Sequence, residues 1–427
     1  MWNELGFTQN PYDHLPIAAN EAGERLLVGR EDEIVRLKRK ITSRAAIPTL
    51  EGDIGVGKTS IISITAYRLE KNFYQNGGPC FLAMEQAFQL DSKEPLEKFS
   101  DSVYQKILLK IHKERSDLIA RGINVPDTSK LYNWLMATQY NSVGASLGPI
   151  GGGSLSTAPN TTQGFSSVGF QNGVQHILEA MFPNPKIGGI ICIIDNLELL
   201  EKSATARQTL EQMRDKLLSA RGMIWIICGA RGIVRGVTAS ARMLSYISKP
   251  IQVEPLSPDR IDGLVERRVV EYRIQPGFEK TPVDQQGFKH IFKICRENLR
   301  TSLRFCSDFS EWLVDSNNTN ASPEDKFELL EAWLAEEADE FRASTRLTPK
   351  PWEVFEKIID EGGIVAPSDH AKFGYDRPEA MRPQVKTLEE AGLVESSMDE
   401  TDLRRRTISV TPKGWLVNYS RRGYPAS

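Results

Sequence analysis

The stretch Gly52-Asp53-Ile54-Gly55-Val56-Gly57-Lys58-Thr59 constrains this chain more than any other. It matches GxxxxGK[ST] without a gap. It follows the short apolar run Ala46–Leu50 and opens a helical pattern over Thr59–Phe73, the strand–turn–helix context that the motif requires. Glycines let backbone N–H groups turn inward around phosphates without a Cβ clash, and the helix that starts after Gly57 adds the positive end of its dipole. Lys58 supplies a point charge for the outer phosphates and the Thr59 hydroxyl a ligand for magnesium. The candidate phosphate-binding set is therefore Gly52, Gly55, Val56, Gly57, Lys58, Thr59 and Ser60, and the expected ligands are ATP and Mg2+.

Such a loop needs a distant acid to hold the metal. Gly188–Ile194 is an apolar strand that runs straight into Asp195, which makes Thr59 and Asp195 the expected metal pair. Other strand patterns fall at Pro79–Met84, Met223–Cys228 and Ile251–Val253. Helical patterns separate them at Pro95–Glu114, Val174–Phe182 and Ala204–Ala220. Strands with few polar residues alternating with helices imply a parallel sheet covered on both faces. From Pro258 to about Arg342 every pattern is helical. The expected fold is an α/β nucleotide-binding core (47–256), preceded by an N-terminal segment (1–46) and followed by a helical lid (257–343) and a C-terminal module (344–427).

At 427 residues, 40% hydrophobic and net charge −3, the chain offers no global electrostatic argument for nucleic acid or membrane; any such surface must be local. No apolar run approaches the roughly 20 residues that span a bilayer. Met1-Trp2-Asn3-Glu4 lacks a basic n-region, and the five cysteines form no CxxC pair. Reduced thiols and a cytoplasmic location are expected. Residues 141–170 are rich in Gly, Ser and Thr and almost free of charge; they read as a surface loop, or as a protruding hairpin through the alternation of Val143, Ala145 and Leu147.

The order of these pieces resembles the AAA+ class and its STAND relatives, above all the initiator branch of origin-recognition and helicase-loader ATPases. The resemblance covers roughly residues 8–315. Asn10-Pro11-Tyr12 with Val28-Gly29-Arg30-Glu31 is similar to the family's N-terminal box, which implies that Arg30 belongs to the adenine-cupping wall. Most AAA+ proteins place Glu directly after the metal-holding Asp; here that position is Asn196, with Glu198 two residues on. Either Glu198 or Asn196 then positions the attacking water, or hydrolysis is slow. Cys228-Gly229-Ala230-Arg231 falls at the family's sensor 1 position, with Arg231 as candidate. Glu297-Asn298-Leu299-Arg300-Thr301-Ser302-Leu303-Arg304 resembles the sensor 2 helix, with Glu297 in place of the usual Gly; this implies Arg300 as γ-phosphate sensor, with Arg304 as fallback. Arg242 stands where the family keeps an arginine finger that acts on a neighbouring subunit, and Arg235 competes for the role. A homo-oligomer is implied.

Residues 347–419 look like a winged helix of the MarR-like kind: helices over Trp352–Ile359, Pro367–Phe373 and Pro378–Ala391, then a strand pair at Leu393–Glu395 and Thr407–Val410. In such a fold the third helix enters the major groove and the wing meets phosphates. Arg377, Arg382, Gln384, Lys386, Arg404, Arg405 and Arg406 are the candidates for double-stranded DNA. Over residues 345–427 basic and acidic residues are equal in number, thirteen each, so binding would depend on local clusters, Arg404–Arg406 and Arg421–Arg422. Docking of a partner protein is the alternative use. Two functions follow: a DNA-engaging AAA+ ATPase, or a STAND-like regulatory or defence switch with slow turnover.

Overall fold

The computed structural model describes residues 1–91, 93–141, 167–197, 203–230, 234, 236, 242–345, 347–398 and 406–422. Glu198, Arg231, Arg235, Arg404, Arg405 and most of the 141–170 insertion lie outside them.

Among the described residues the core is a six-stranded parallel sheet. Its strands are β1 (Thr49–Glu51), β2 (Cys80–Ala83), β3 (Phe88–Gln89), β4 (Gly188–Asp195), β5 (Met223–Gly229) and β6 (Ile251–Gln252). The order is β2-β4-β5-β1-β6, with β3 extending the β2 side of β4. Side-chain alternation along each strand decides what each face meets. Ile190, Cys192 and Ile194 of β4, with Met223, Trp225 and Ile227 of β5, enter one apolar cluster. Ile191 and Ile193, with Ile224, Ile226 and Cys228, enter the cluster on the opposite face. Both faces are therefore buried.

The second face is covered by α2 (Glu31–Ser43) and α3 (Lys58–Asn76), which follow the short α1 (Glu21–Leu26) in the N-terminal segment. In α2 the stripe Ile34, Leu37, Ile41 is buried as its spacing predicts, and three acids in the first turn suit the positive end of the dipole. The first face carries α4 (Leu96–Ala120), α5 (Ser129–Asn141) and α6 (Ser167–Met181). Neither α5 nor the early start of α6 was expected. The 141–170 insertion is thus bounded by helix on both sides, and Trp134 stacks on Phe170 across its two ends. Next comes α7 (Ser203–Met213), whose last turn widens into a π-turn at Arg214–Leu218. There the Leu217 carbonyl accepts the Trp225 indole N–H at 2.8 Å, so the widened turn supplies the partner that a buried indole requires.

The lid holds α8 (Leu264–Tyr272), α9 (Gln285–Ile294), α10 (Leu299–Asp315) and α11 (Pro323–Thr345). Tyr12 and Val28 of the N-terminal segment are buried in the lid's own cluster, while Leu27 and Ile34 belong to the core. The segment therefore straddles the junction of the two. All five cysteines are buried, and burial pushes the Cys80 and Cys295 thiols up to about 12.

The C-terminal module runs α12 (Pro349–Asp360), β7 (Ile364–Val365), a 3-10 turn at Pro367–Phe373, α13 (Pro378–Glu390), β8 (Val394–Met398), β9 (Arg406–Val410) and α14 (Pro412–Arg422). The expected second helix is the 3-10 turn. The expected strand pair is two strands of an antiparallel sheet ordered β7-β9-β8. The terminal helix was not expected at all, and it is what docks the module. Its Leu416 is buried among lid residues while Trp415 and Val417 enter the module's core. The Tyr419 hydroxyl donates to Glu331 of α11 at 2.7 Å.

A candidate nucleotide cleft between core and lid

The P-loop leaves β1 at the C-terminal edge of the sheet and turns into α3. Gly57 adopts φ +102° and Gly55 φ +83°, conformations that L side chains rarely hold. A Cβ on Gly55 would also stand 2.9 Å from Arg300 Cβ, so the lid packs directly on the loop. Lys58 is buried, and its Nζ donates to the carbonyls of Gly52 and Asp53, each at 2.9 Å. The cation is thus held folded over the mouth of its own loop.

Asp195 arrives by strand periodicity. It shares the α3 side of β4 with Ile191 and Ile193, and β5 separates its strand from β1. Its Oδ2 accepts the Thr59 hydroxyl at 2.7 Å, and its Oδ1 accepts the Asn196 N–H at 2.8 Å and the Cys228 thiol at 2.7 Å. Cys228 follows Ile227, which pairs with Ile194 across the ladder. The two expected metal ligands are therefore in direct contact, and both are hard oxygens of the kind magnesium takes. As two oxygen donors, the pair fits that ion. Asn196 has φ +57° and lines the cleft; its amide can orient a water but cannot take a proton at neutral pH.

The cleft is also lined by apolar residues: Ile17, Leu27 and Val28 of the N-terminal segment, Leu256 at the end of the core, and Leu264 and Leu303 of the lid. Arg30 is buried in the wall between them. Its Nη1 donates to Glu33 at 3.0 Å and to the Glu254 carbonyl at 2.8 Å, and its Nη2 to the Val56 carbonyl at 2.8 Å. Burial lowers the basicity of this guanidinium, and Glu33 opposes that shift. Arg30 thus ties P-loop, N-terminal segment and the segment after β6 that leads into the lid into one frame.

Arg300 opens α10 and lines the cleft, exposed to it. Arg304 lies one turn away, paired with Asp308 at 3.5 Å, and does not line it. Of the two sensor candidates, only Arg300 is at the loop. Arg296 and Glu297 precede it with φ +49° and +63°. Glu297, which replaces the family's Gly, therefore occupies a left-handed conformation that a glycine would adopt freely. Asn298 then caps α10, accepting the Thr301 N–H at 3.0 Å and donating to the Ile54 carbonyl of the P-loop at 3.2 Å. Neither Asn298 nor Cys228 is among the site residues that the sequence predicts. Asn298 carried a signal, an N-cap residue before a helical run; Cys228 carried none. Arg242 is exposed beside Asp215 on the core surface, outside its own chain's cleft.

In the C-terminal module α13 buries Met381, Val385 and Leu388 and leaves Arg377, Arg382 and Lys386 exposed, with Gln384 half-buried. Arg406 is exposed on β9. The Arg421–Arg422 cluster expected from sequence is not a set of open cations. Arg421 pairs with Glu356 at 2.6 Å and Arg422 with Asp360 at 2.7 Å, both across the α12 surface.

Strand order, P-loop and lid together define an α/β P-loop ATPase fold of the AAA+ type. No family model matches the chain, and no curated protein sequence does. Among solved structures it is similar to the Aeropyrum pernix ORC1 protein in complex with DNA (12% identity, 97% of each chain, TM-score 0.49). It is similar also to the Aeropyrum pernix ORC2 protein in ADPNP–ADP complexes (11%, 98% of each chain, 0.49) and to Cdc6p from Pyrobaculum aerophilum (15%, 98% of each chain, 0.40). The fold assignment stands on the chain's own topology and loop geometry. No helix among the described residues is long and apolar enough to cross a membrane.

Proposed function

We propose that this chain is an ATPase in which Mg·ATP, bound between core and lid, governs how the C-terminal module engages double-stranded DNA, in a homo-oligomer. The observation that carries the reading is the contact of Thr59 with Asp195 at 2.7 Å beside the folded Lys58. In this reading Lys58 leaves its loop carbonyls for the β- and γ-phosphates, and the amides from Gly55 to Ser60 cradle them. Thr59 and Asp195 would hold Mg2+, whose charge would help offset that of the phosphates. Arg300 meets the γ-phosphate from the lid, and Arg242 acts on a neighbouring subunit's nucleotide. Arg30 fixes the frame around the base.

A route from the cleft to the module supports the coupling. Asn298 holds the P-loop at Ile54, the left-handed pair Arg296–Glu297 precedes it, and the Arg296 guanidinium lies 4.2 Å over the Trp415 ring of α14. A shift of α10 towards the γ-phosphate would pull this turn and so the helix that docks the module. We read the module as a winged helix, with α13 addressing the major groove through Arg377, Arg382, Gln384 and Lys386 and the β8–β9 hairpin meeting phosphates through Arg404–Arg406.

Asn196 favours a second reading: no carboxylate follows Asp195 directly, as a general base would. A nucleotide-held switch with slow turnover, its module docking a protein, suits that feature. Turnover measured with and without duplex DNA, beside a salt series of DNA binding, separates the two. DNA-stimulated hydrolysis with salt-dependent binding supports the first; negligible turnover and no salt-dependent binding leave the second.

A further inference from the structure

Arg268 is the buried charge in the cleft that the proposed chemistry does not use. It stands on α8 one turn after Leu264, and both line the cleft. It is only 5% exposed. Its Nη1 donates to the carbonyls of Pro11 at 3.2 Å and Asp13 at 2.9 Å, so one corner of the guanidinium staples the lid to the N-terminal segment. Its Nε is buried without a partner. Burial draws its basicity down, with Tyr272 and Asp13 the nearest opposing groups, yet a guanidinium stays charged in proteins. A buried cation with an unsatisfied donor edge is costly unless something completes it.

Its position suggests what does. The phosphate end of the cleft already has Lys58, Thr59 and the loop amides. Arg268 shares the cleft lining with Leu27, Val28, Leu256 and Leu264, apolar side chains against which a flat ring can pack. A planar donor edge beside such side chains complements an in-plane acceptor, which purines carry as ring nitrogens. Resting on the nucleotide reading of this cleft, we infer that Arg268 is a specificity-determining residue whose free N–H edge donates to a ring nitrogen of the bound purine.

The test is calorimetric binding of Mg·ATP, its 1-deaza, 3-deaza and 7-deaza analogues, and 2′-deoxy-ATP to the full chain and to Arg268→Lys. Lysine keeps an ammonium that can donate to the Pro11 and Asp13 carbonyls but loses the Nε–H and the planar guanidinium. One deaza analogue is expected to bind the unsubstituted chain about tenfold or more weakly than ATP, the size of one hydrogen bond to a charged group. In Arg268→Lys that difference should vanish while ATP itself binds more weakly. If all three analogues bind the unsubstituted chain as ATP does, with or without a loss for 2′-deoxy-ATP, the inference is overturned. The same holds if the analogue's defect persists in Arg268→Lys. Absence of any heat with Mg·ATP would instead sink the nucleotide reading on which the inference rests.

Discussion

The nucleotide cleft and the C-terminal module handle charge in opposite ways. In the cleft, Lys58, Asp195 and Arg30 are buried and bonded to named partners within one frame. On the module, Arg377, Arg382, Lys386 and Arg406 stand in solvent among an equal number of acids. Buried, pre-oriented groups act strongly and individually because little solvent screens them. Exposed cations act weakly and additively, through counterion release. Substitutions in the two regions should therefore differ in size and in salt dependence.

The largest effect is expected from Lys58→Ala, which should lower ATP turnover by at least about a hundredfold, the cost of removing one preorganised charge contact to a transferring phosphoryl group. Asp195→Asn comes next: turnover should fall by a comparable order, while nucleotide binding measured in EDTA stays close to that of the unsubstituted chain. If Asp195→Asn impaired binding equally in EDTA, its role would be structural and not tied to the metal. Asn298→Ala removes both a helix cap and the tether to Ile54; it should lower thermal stability by about 1 kcal/mol and weaken ATP several-fold, read by melting and by titration.

Arg296→Ala breaks the stack on Trp415, a contact worth about 0.5–1 kcal/mol. It should leave ATP affinity unchanged and reduce the stimulation of turnover by duplex DNA. Unchanged stimulation would remove the proposed route between cleft and module. Smallest per site, Arg382→Gln and Lys386→Gln should each weaken DNA binding modestly and lower the salt slope by about 1. If neither slope moves, α13 does not meet phosphates.

The cleft was legible in sequence to the extent that its parts are local. The P-loop is one unbroken motif, and Asp195 follows from counting along an apolar strand whose alternate residues face α3. Partnerships between distant segments were not legible. Nothing near Cys228 says that β5 will place its thiol on Asp195, and nothing near Arg268 says that its helix will face Pro11 and Asp13. Helix α5 went unread because, among its described side chains, only Leu131 and Trp134 are buried, too few to mark a period. Arg421 and Arg422 read as a basic cluster because their partners, Glu356 and Asp360, lie some sixty residues earlier, on a helix brought alongside only by folding.

The most direct test of the account is titration of Mg·ATP into the full chain by calorimetry, with Lys58→Ala alongside. One nucleotide should bind per unsubstituted chain, and the variant should bind at least about a hundredfold more weakly. No heat from the unsubstituted chain, or equal affinity in the variant, would contradict a triphosphate seated at Gly52–Thr59.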